Sequence, residues 1–176
     1  MAKLQILVAP DPILKKPAAP LERVDAAARR LMDDMLETMH GANGIGLAAP
    51  QVGVLKRIIV VDVTAPREQP PHPYRMANPE IVWRSDTVVA GEEGCLSLPD
   101  QFADVVRAER IRVRFLDHEN EIRELEADGL LARCIQHEID HLQGTLFVDH
   151  LSALKRNIIL RKLSKTKKQQ APAAVG

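Results

Sequence analysis

One helix constrains the fold of this chain more than any other feature. After Asp128, the residues Leu130, Leu131, Cys134, Ile135, Ile139 and Leu142 recur at helical spacing and leave little of the circumference polar. A helix of that kind belongs inside a molecule, not on its surface. Asp128 reads as its N-cap and Gly144 as its stop. The same stretch nevertheless carries His137, Glu138, Asp140 and His141, and polar groups in an apolar interior need partners. Histidines at i and i+4 share one helix face, one turn apart. Both imidazoles of His137-Glu138-Ile139-Asp140-His141 can therefore reach one metal ion, with Glu138 placed to address a water held there. Two core histidines bonded to backbone are the competing explanation. The full HExxH spacing on a capped helix makes that the weaker one.

The remaining segments supply the surroundings of this helix. Asp25 caps an earlier helix on which Ala28, Leu31, Met32, Met35, Leu36 and Met39 form an apolar stripe, ending before Gly41 and Gly44. Leu4 to Val8 reads as a short strand, and the proline-rich stretch from Asp11 to Pro20 as irregular entry structure. Ile58-Ile59-Val60-Val61, within Arg57 to Val63, is a continuous apolar run suited to a strand buried on both faces. Pro66, Pro70, Pro71 and Pro73 mark a surface loop. Further strands are expected at Glu80–Trp83, Thr87–Ala90, Ile111–Leu116 and Ile122–Leu125. In the third of these, Ile111, Val113 and Phe115 alternate with arginines, as in a strand with one wet face. A last helix starts at Ser152, and Gln169 to Gly176 reads as a frayed tail. Strands precede the central helix without βαβ alternation, so the class is α+β. The expected architecture is antiparallel β-sheets packed around the HExxH helix, followed by a C-terminal helix. The expected organisation is a catalytic domain over residues 1–154 and a basic helix end with a flexible tail over residues 155–176.

Composition excludes several functions. A chain of 176 residues with 45% hydrophobic and 27% charged residues has enough material for one real core and is not disordered. Lys+Arg and Asp+Glu are both 24, so no global field favours nucleic acid or a membrane. Aromatics at 3% are too few for an RNA-stacking platform. No apolar run approaches the roughly 20 residues of a membrane helix, and the opening residues show no secretory pattern. Two cysteines, Cys95 and Cys134, do not make a disulfide scaffold. The expected setting is the cytoplasm, with no membrane partner.

Two histidines leave a catalytic metal site one protein donor short. Downstream, Asp149 and His150 are the nearest candidates, but neither stands in a recognisable third-ligand motif. Upstream lies Glu92-Glu93-Gly94-Cys95-Leu96-Ser97. A lone Cys95 would read as a small buried hydrophobe. Beside HExxH it reads as a thiolate donor for a soft or borderline ion. A third segment, Gly44-Ile45-Gly46-Leu47-Ala48-Ala49-Pro50-Gln51, lacks bulk, so a substrate backbone could lie against it. Taken alone, this segment reads as a plain loop, and no helix follows to make it a phosphate-binding fingerprint.

These three segments, in this order, resemble the peptide deformylase family of the bacterial type, from Asp11-Pro12-Ile13-Leu14 to about Leu154. The resemblance implies one divalent metal ion held by Cys95, His137 and His141, with Fe²⁺ as the cellular ion and Zn²⁺, Ni²⁺ or Co²⁺ as replacements. It implies hydrolysis of the N-formyl group from the N-terminal methionine of nascent polypeptides, releasing formate. Glu138 is then the general base, which takes a proton from a water activated by the metal and passes it to the leaving amine. The Leu96 N–H and the Gln51 side-chain amide then stabilise the oxyanion. Ile45, Leu130, Arg133, Cys134 and His137 match positions lining the methionine pocket, with the Arg133 stem as a wall and its head in water. Gly46 and Gly94 match positions that bond the substrate backbone. The resemblance also implies docking on the ribosome through the C-terminal end. Residues 151–168 carry seven basic residues and no acid.

One departure is Gln101-Phe102-Ala103, where relatives often carry an arginine that contacts the peptide. Asp140 reads either as a support for a metal ligand or as a salt-bridge partner. Two other functions stay open on sequence grounds. An HExxH metallopeptidase would use a third His or Glu donor, and a non-enzymatic ribosome-binding protein would have a closed structural metal site.

Overall fold

The structure, a computed structural model, describes residues 3–64 and 70–170, with side chains through residue 166. Helix α1 (Ala26–Gly41) begins where expected, because the Asp25 carboxylate accepts the Ala28 N–H at 2.8 Å. Strands β1 (Gly46–Ala48), β2 (Ile58–Val61), β3 (Tyr74–Arg84), β6 (Arg110–Leu116) and β7 (Ile122–Asp128) form an antiparallel sheet in the order β1-β2-β3-β6-β7. Strands β4 (Val88–Cys95) and β5 (Leu98–Ala108) form a separate antiparallel hairpin, with Cys95 paired to Leu98 across the Leu96-Ser97 turn. Helix α2 (Gly129–His141) follows β7, and α3 (Ala153–Gln170) closes the described chain.

The apolar run of β2 is buried throughout because both of its faces are covered. Ile59 and Val61 pack with Ile135, Ile139 and Leu142 around α2, and Ile58 and Val60 pack with Met32, Met35 and Met39 of α1. A third cluster joins Leu98 and Val105 of β5 to Leu146, Phe147 and Val148, and to Ile159 and Leu163 of α3. The expected α+β class, the antiparallel sheets around the HExxH helix and the C-terminal helix are all present. No helix among the described residues is long and apolar enough to cross a membrane.

Several local expectations are corrected. Leu4 to Val8 joins no ladder, because single bonds to separate segments hold it instead. The Leu4 N–H donates to Thr38 Oγ1 at 2.8 Å, and the Leu7 N–H to the Gln51 carbonyl at 2.7 Å. Asp128 makes no capping bond; it ends β7, and Gly129 at φ 55° turns the chain into α2. The glycine- and alanine-rich segment that reads as a loop contributes β1 and a 3-10 turn over Ala49–Val52. Strand β3 begins at Tyr74 and passes a register shift between Ala77 and Glu80, so only its later part carries a simple strand pattern. Strand β5 has no counterpart in the sequence reading. Helix α3 is continuous across residues 154 and 155, and Ile159 and Leu163 beyond that point are buried. Of the expected loop and tail, Pro66 and residues 171–176 lie outside the described residues.

Candidate metal centre and substrate cleft

Helix α2 presents two polar faces. Arg133, Gln136, His137 and Asp140, spaced three and four apart, all turn toward the β4–β5 hairpin and its partners. Gln136 bonds both backbone groups of Ala108, accepting its N–H at 3.2 Å and donating to its carbonyl at 2.9 Å. His137 Nδ1 lies 2.9 Å from Glu93 Oε1. Arg107 grips Glu93 through Nε at 2.9 Å and Nη2 at 2.8 Å, and donates through Nη1 to Asp140 at 2.6 Å. Burial acts against the Glu93 charge, but Arg107 and His137 outweigh it and hold the carboxyl well below the usual carboxylate range. Asp140 is thus a salt-bridge partner of Arg107 that also meets His150 Nε2 at 2.8 Å.

The second face carries Cys134, Glu138 and His141 against the first sheet and the cleft. Both histidines are buried, and Cys95 reaches them from the end of β4. Cys95 Sγ lies 3.3 Å from His141 Nε2, and one donor atom from each of Cys95, His137 and His141 lies within 4.8 Å of the others. Since Nδ1 of His137 is engaged by Glu93, its Nε2 is the nitrogen that faces this cluster. Burial pushes the Glu138 carboxyl up to about 7, and its Oε1 is buried without a hydrogen-bond partner. Burial pulls His141 well below its ordinary value, which keeps it the neutral imidazole a metal requires. At His137 burial acts downward, but the Glu138 charge and bonds to Cys95 and Glu93 outweigh it and hold a proton there. The same negative field would favour a metal cation in that proton's place. One thiolate and two imidazoles suit a borderline divalent ion, so the residues fit the metal the motif implies. Asp149 and His150 are elsewhere: Asp149 is bound by Lys15 at 2.5 Å and Arg156 at 2.9 Å, and His150 faces Asp140.

Beside the cluster opens a cleft of about 500 Å³ whose lining includes Ile45, Gly46, Gln51, Gly94, Cys95, Leu96, Leu130, Arg133, Cys134, His137 and Glu138. Every site residue named from the sequence is therefore in the cleft lining or, for His141, in the donor cluster. A Cβ on Gly46 would sit 2.5 Å from Glu138 Oε2 and 2.6 Å from Cys134 Sγ, so only glycine lets β1 approach α2 this closely. Gln51 accepts the Ala48 N–H at 2.9 Å through Oε1. This turns its Nε2 toward Cys95 Sγ at 3.5 Å and Ser97 Oγ at 3.0 Å. Phe102 stands at the rim, 61% exposed, with its ring over Gly94.

Arg133 corrects an expectation, because its head is not in water. The guanidinium is held by Glu93 and by backbone carbonyls of the hairpin. Sequence reasoning missed Glu93, Arg107 and Gln136. A signal existed for Glu93, since a strand's period of two puts it on the same face as Cys95.

An α+β fold with an HExxH helix buried between sheets and a cysteine as the third donor defines a metal-dependent hydrolase class. The sequence profile described as polypeptide deformylase matches residues 3–157, and the chain belongs to that family. A peptide deformylase of Alkalilimnicola ehrlichii is 56% identical over 169 residues, covering 96% of this chain and 93% of that protein. One from Mesorhizobium japonicum is 48% identical over 167 residues, covering 95% and 94%. The crystal structure of peptide deformylase from Ehrlichia chaffeensis superposes with a TM-score of 0.90 at 43% identity, covering 96% of this chain and 98% of that one. The same Ehrlichia protein in complex with actinonin gives 0.89 at 45% identity, covering 97% and 99%.

Proposed function

We propose that this chain removes the N-formyl group from the N-terminal methionine of nascent polypeptides, yielding formate and a free amino terminus. The observation that carries the reading is the cluster of half-buried Cys95 with buried His137 and His141, with Glu138 beside it at an apolar cleft. Those three residues would hold a divalent cation, which when bound would supply a Lewis acid and bring the pKa of water toward neutrality. Glu138 takes the proton from that water and delivers it to the leaving amine, a role suited to a carboxyl pushed up by burial. The Leu96 N–H and Gln51 Nε2 donate to the developing oxyanion; the bond from Ala48 to Gln51 Oε1 fixes which end of the amide is offered. The methionine side chain enters between Ile45, Leu130, the Arg133 stem, Cys134 and His137. Gly46, on the edge strand of the sheet, and Gly94, on β4, bond the substrate backbone.

Fe²⁺ is the cellular ion in this reading, to be checked by metal analysis of protein purified without air, and Zn²⁺, Ni²⁺ and Co²⁺ are replacements. The protein acts in the cytoplasm and docks on ribosomes through α3, whose Lys155, Arg161, Lys162 and Lys165 are exposed. Co-sedimentation with ribosomes should therefore weaken as salt rises. The direct test is incubation with formyl-Met-Ala and with a longer unformylated peptide. Formate release without internal cleavage is expected; internal cleavage without formate release would favour a metallopeptidase.

A further inference from the structure

We propose that Arg133 is a positioning residue: its guanidinium ties α2 to both strands of the β4–β5 hairpin and so sets the width of the methionine pocket. The inference rests on the deformylase reading and adds a determinant of its specificity. Nη1 donates to Glu93 Oε2 at 2.8 Å and to the Val105 carbonyl at 2.8 Å, with the Gly91 carbonyl at 3.4 Å. Nη2 donates to the Val89 carbonyl at 2.7 Å. One head group thus spans β4 and β5, while its stem lines the cleft. An arginine serving only as an apolar wall would send its charge to solvent; this side chain is 13% exposed.

The tie matters because β4 and β5 form a two-stranded sheet, which has little stability of its own. Its place depends on the third core cluster and on the bonds α2 makes to it, the Asp140–Arg107 pair included. Gln136 bonds Ala108 and His137 bonds Glu93, whereas Arg133 reaches Val89, Glu93 and Val105 on both strands, and Glu93 among these lines the cleft. The seat is also shaped for the head. A Cβ on Gly91 would lie 2.9 Å from both the guanidinium carbon and Nε, so a side chain there makes the guanidinium shift.

Two variants test this. Arg133→Met keeps an apolar stem and removes the head; Gly91→Ala leaves Arg133 intact and crowds the head in its seat. We expect Arg133→Met to lower kcat/KM for formyl-Met-Ala relative to formyl-Phe-Ala by about ten-fold, mainly through KM for the methionine substrate, and Gly91→Ala to move it the same way by less. Amide exchange across residues 89–93 and 103–107 should accelerate by a similar factor. Arg133→Lys should restore part of the selectivity. Adding Gly91→Ala to Arg133→Met should change nothing further, since both act on the same contact. If Arg133→Met, folded by circular dichroism, keeps the wild-type selectivity and exchange rates, Arg133 is only a wall. If the wild-type chain releases no formate from either substrate, the deformylase reading fails, and the exchange rates alone still decide whether the tie exists.

Discussion

At the scale of single residues, the two thiols show how neighbours decide chemistry. Cys95 lies half-buried at the end of β4, 3.3 Å from a histidine nitrogen. Cys134 is buried on α2 with the Ile45 carbonyl 3.5 Å away, and burial pushes its thiol well up, so it stays protonated and inert. Cys95→Ser is therefore expected to lose most of the bound metal, because a hydroxyl is a poor substitute for a thiolate donor. Cys134→Ser should retain it. Metal content measured after gel filtration decides the matter, and equal loss in both variants would contradict the assignment. The sequence made Cys95 legible through its pairing with HExxH. It concealed the seat of Arg133, because three of the four acceptors there are backbone carbonyls, which leave no trace in residue identity.

Among the elements, legibility follows the strength of the pattern. The uniform burial of β2 and the helical stripe of α1 are written directly in apolar spacing. Strand β5 is not, since only Leu98, Val105 and Arg107 along it are buried, and Pro99 and Asp100 at its start read as a turn. Helix α3 is a mixed case. Its start at Ser152 was visible, but Ile159 and Leu163 anchor it to the third core cluster beyond the expected domain boundary. Ending the chain after Leu154 removes both anchors. At about 1.5–3 kcal/mol for each fully buried side chain, this should cost several kcal/mol, a large part of a typical total of about 5–15. Ending it after Ser164 spares both and should leave stability near wild type. Thermal unfolding of the two truncations compares them; equal midpoints would show that α3 contributes nothing to the core.

For the molecule as a whole, the site belongs to neither β unit alone. The five-stranded sheet brings β1 and Gln51, the hairpin brings Cys95 and Glu93, and α2 lies between them with both histidines and Glu138. The balanced net charge conceals this arrangement, because Glu93 and Asp140 offset Arg107 and Arg133 within one network. Similarity to deformylases across nearly the full chain is what such a site requires, since each segment supplies a part. In the proposed reaction Glu138 moves the proton while Cys95, His137 and His141 hold the metal. Glu138→Gln, purified without air beside the wild type, tests it most directly through metal content and formate release from formyl-Met-Ala. Wild-type metal content with turnover reduced by about 10²–10⁴ is expected. Near-normal turnover at full metal content would contradict it.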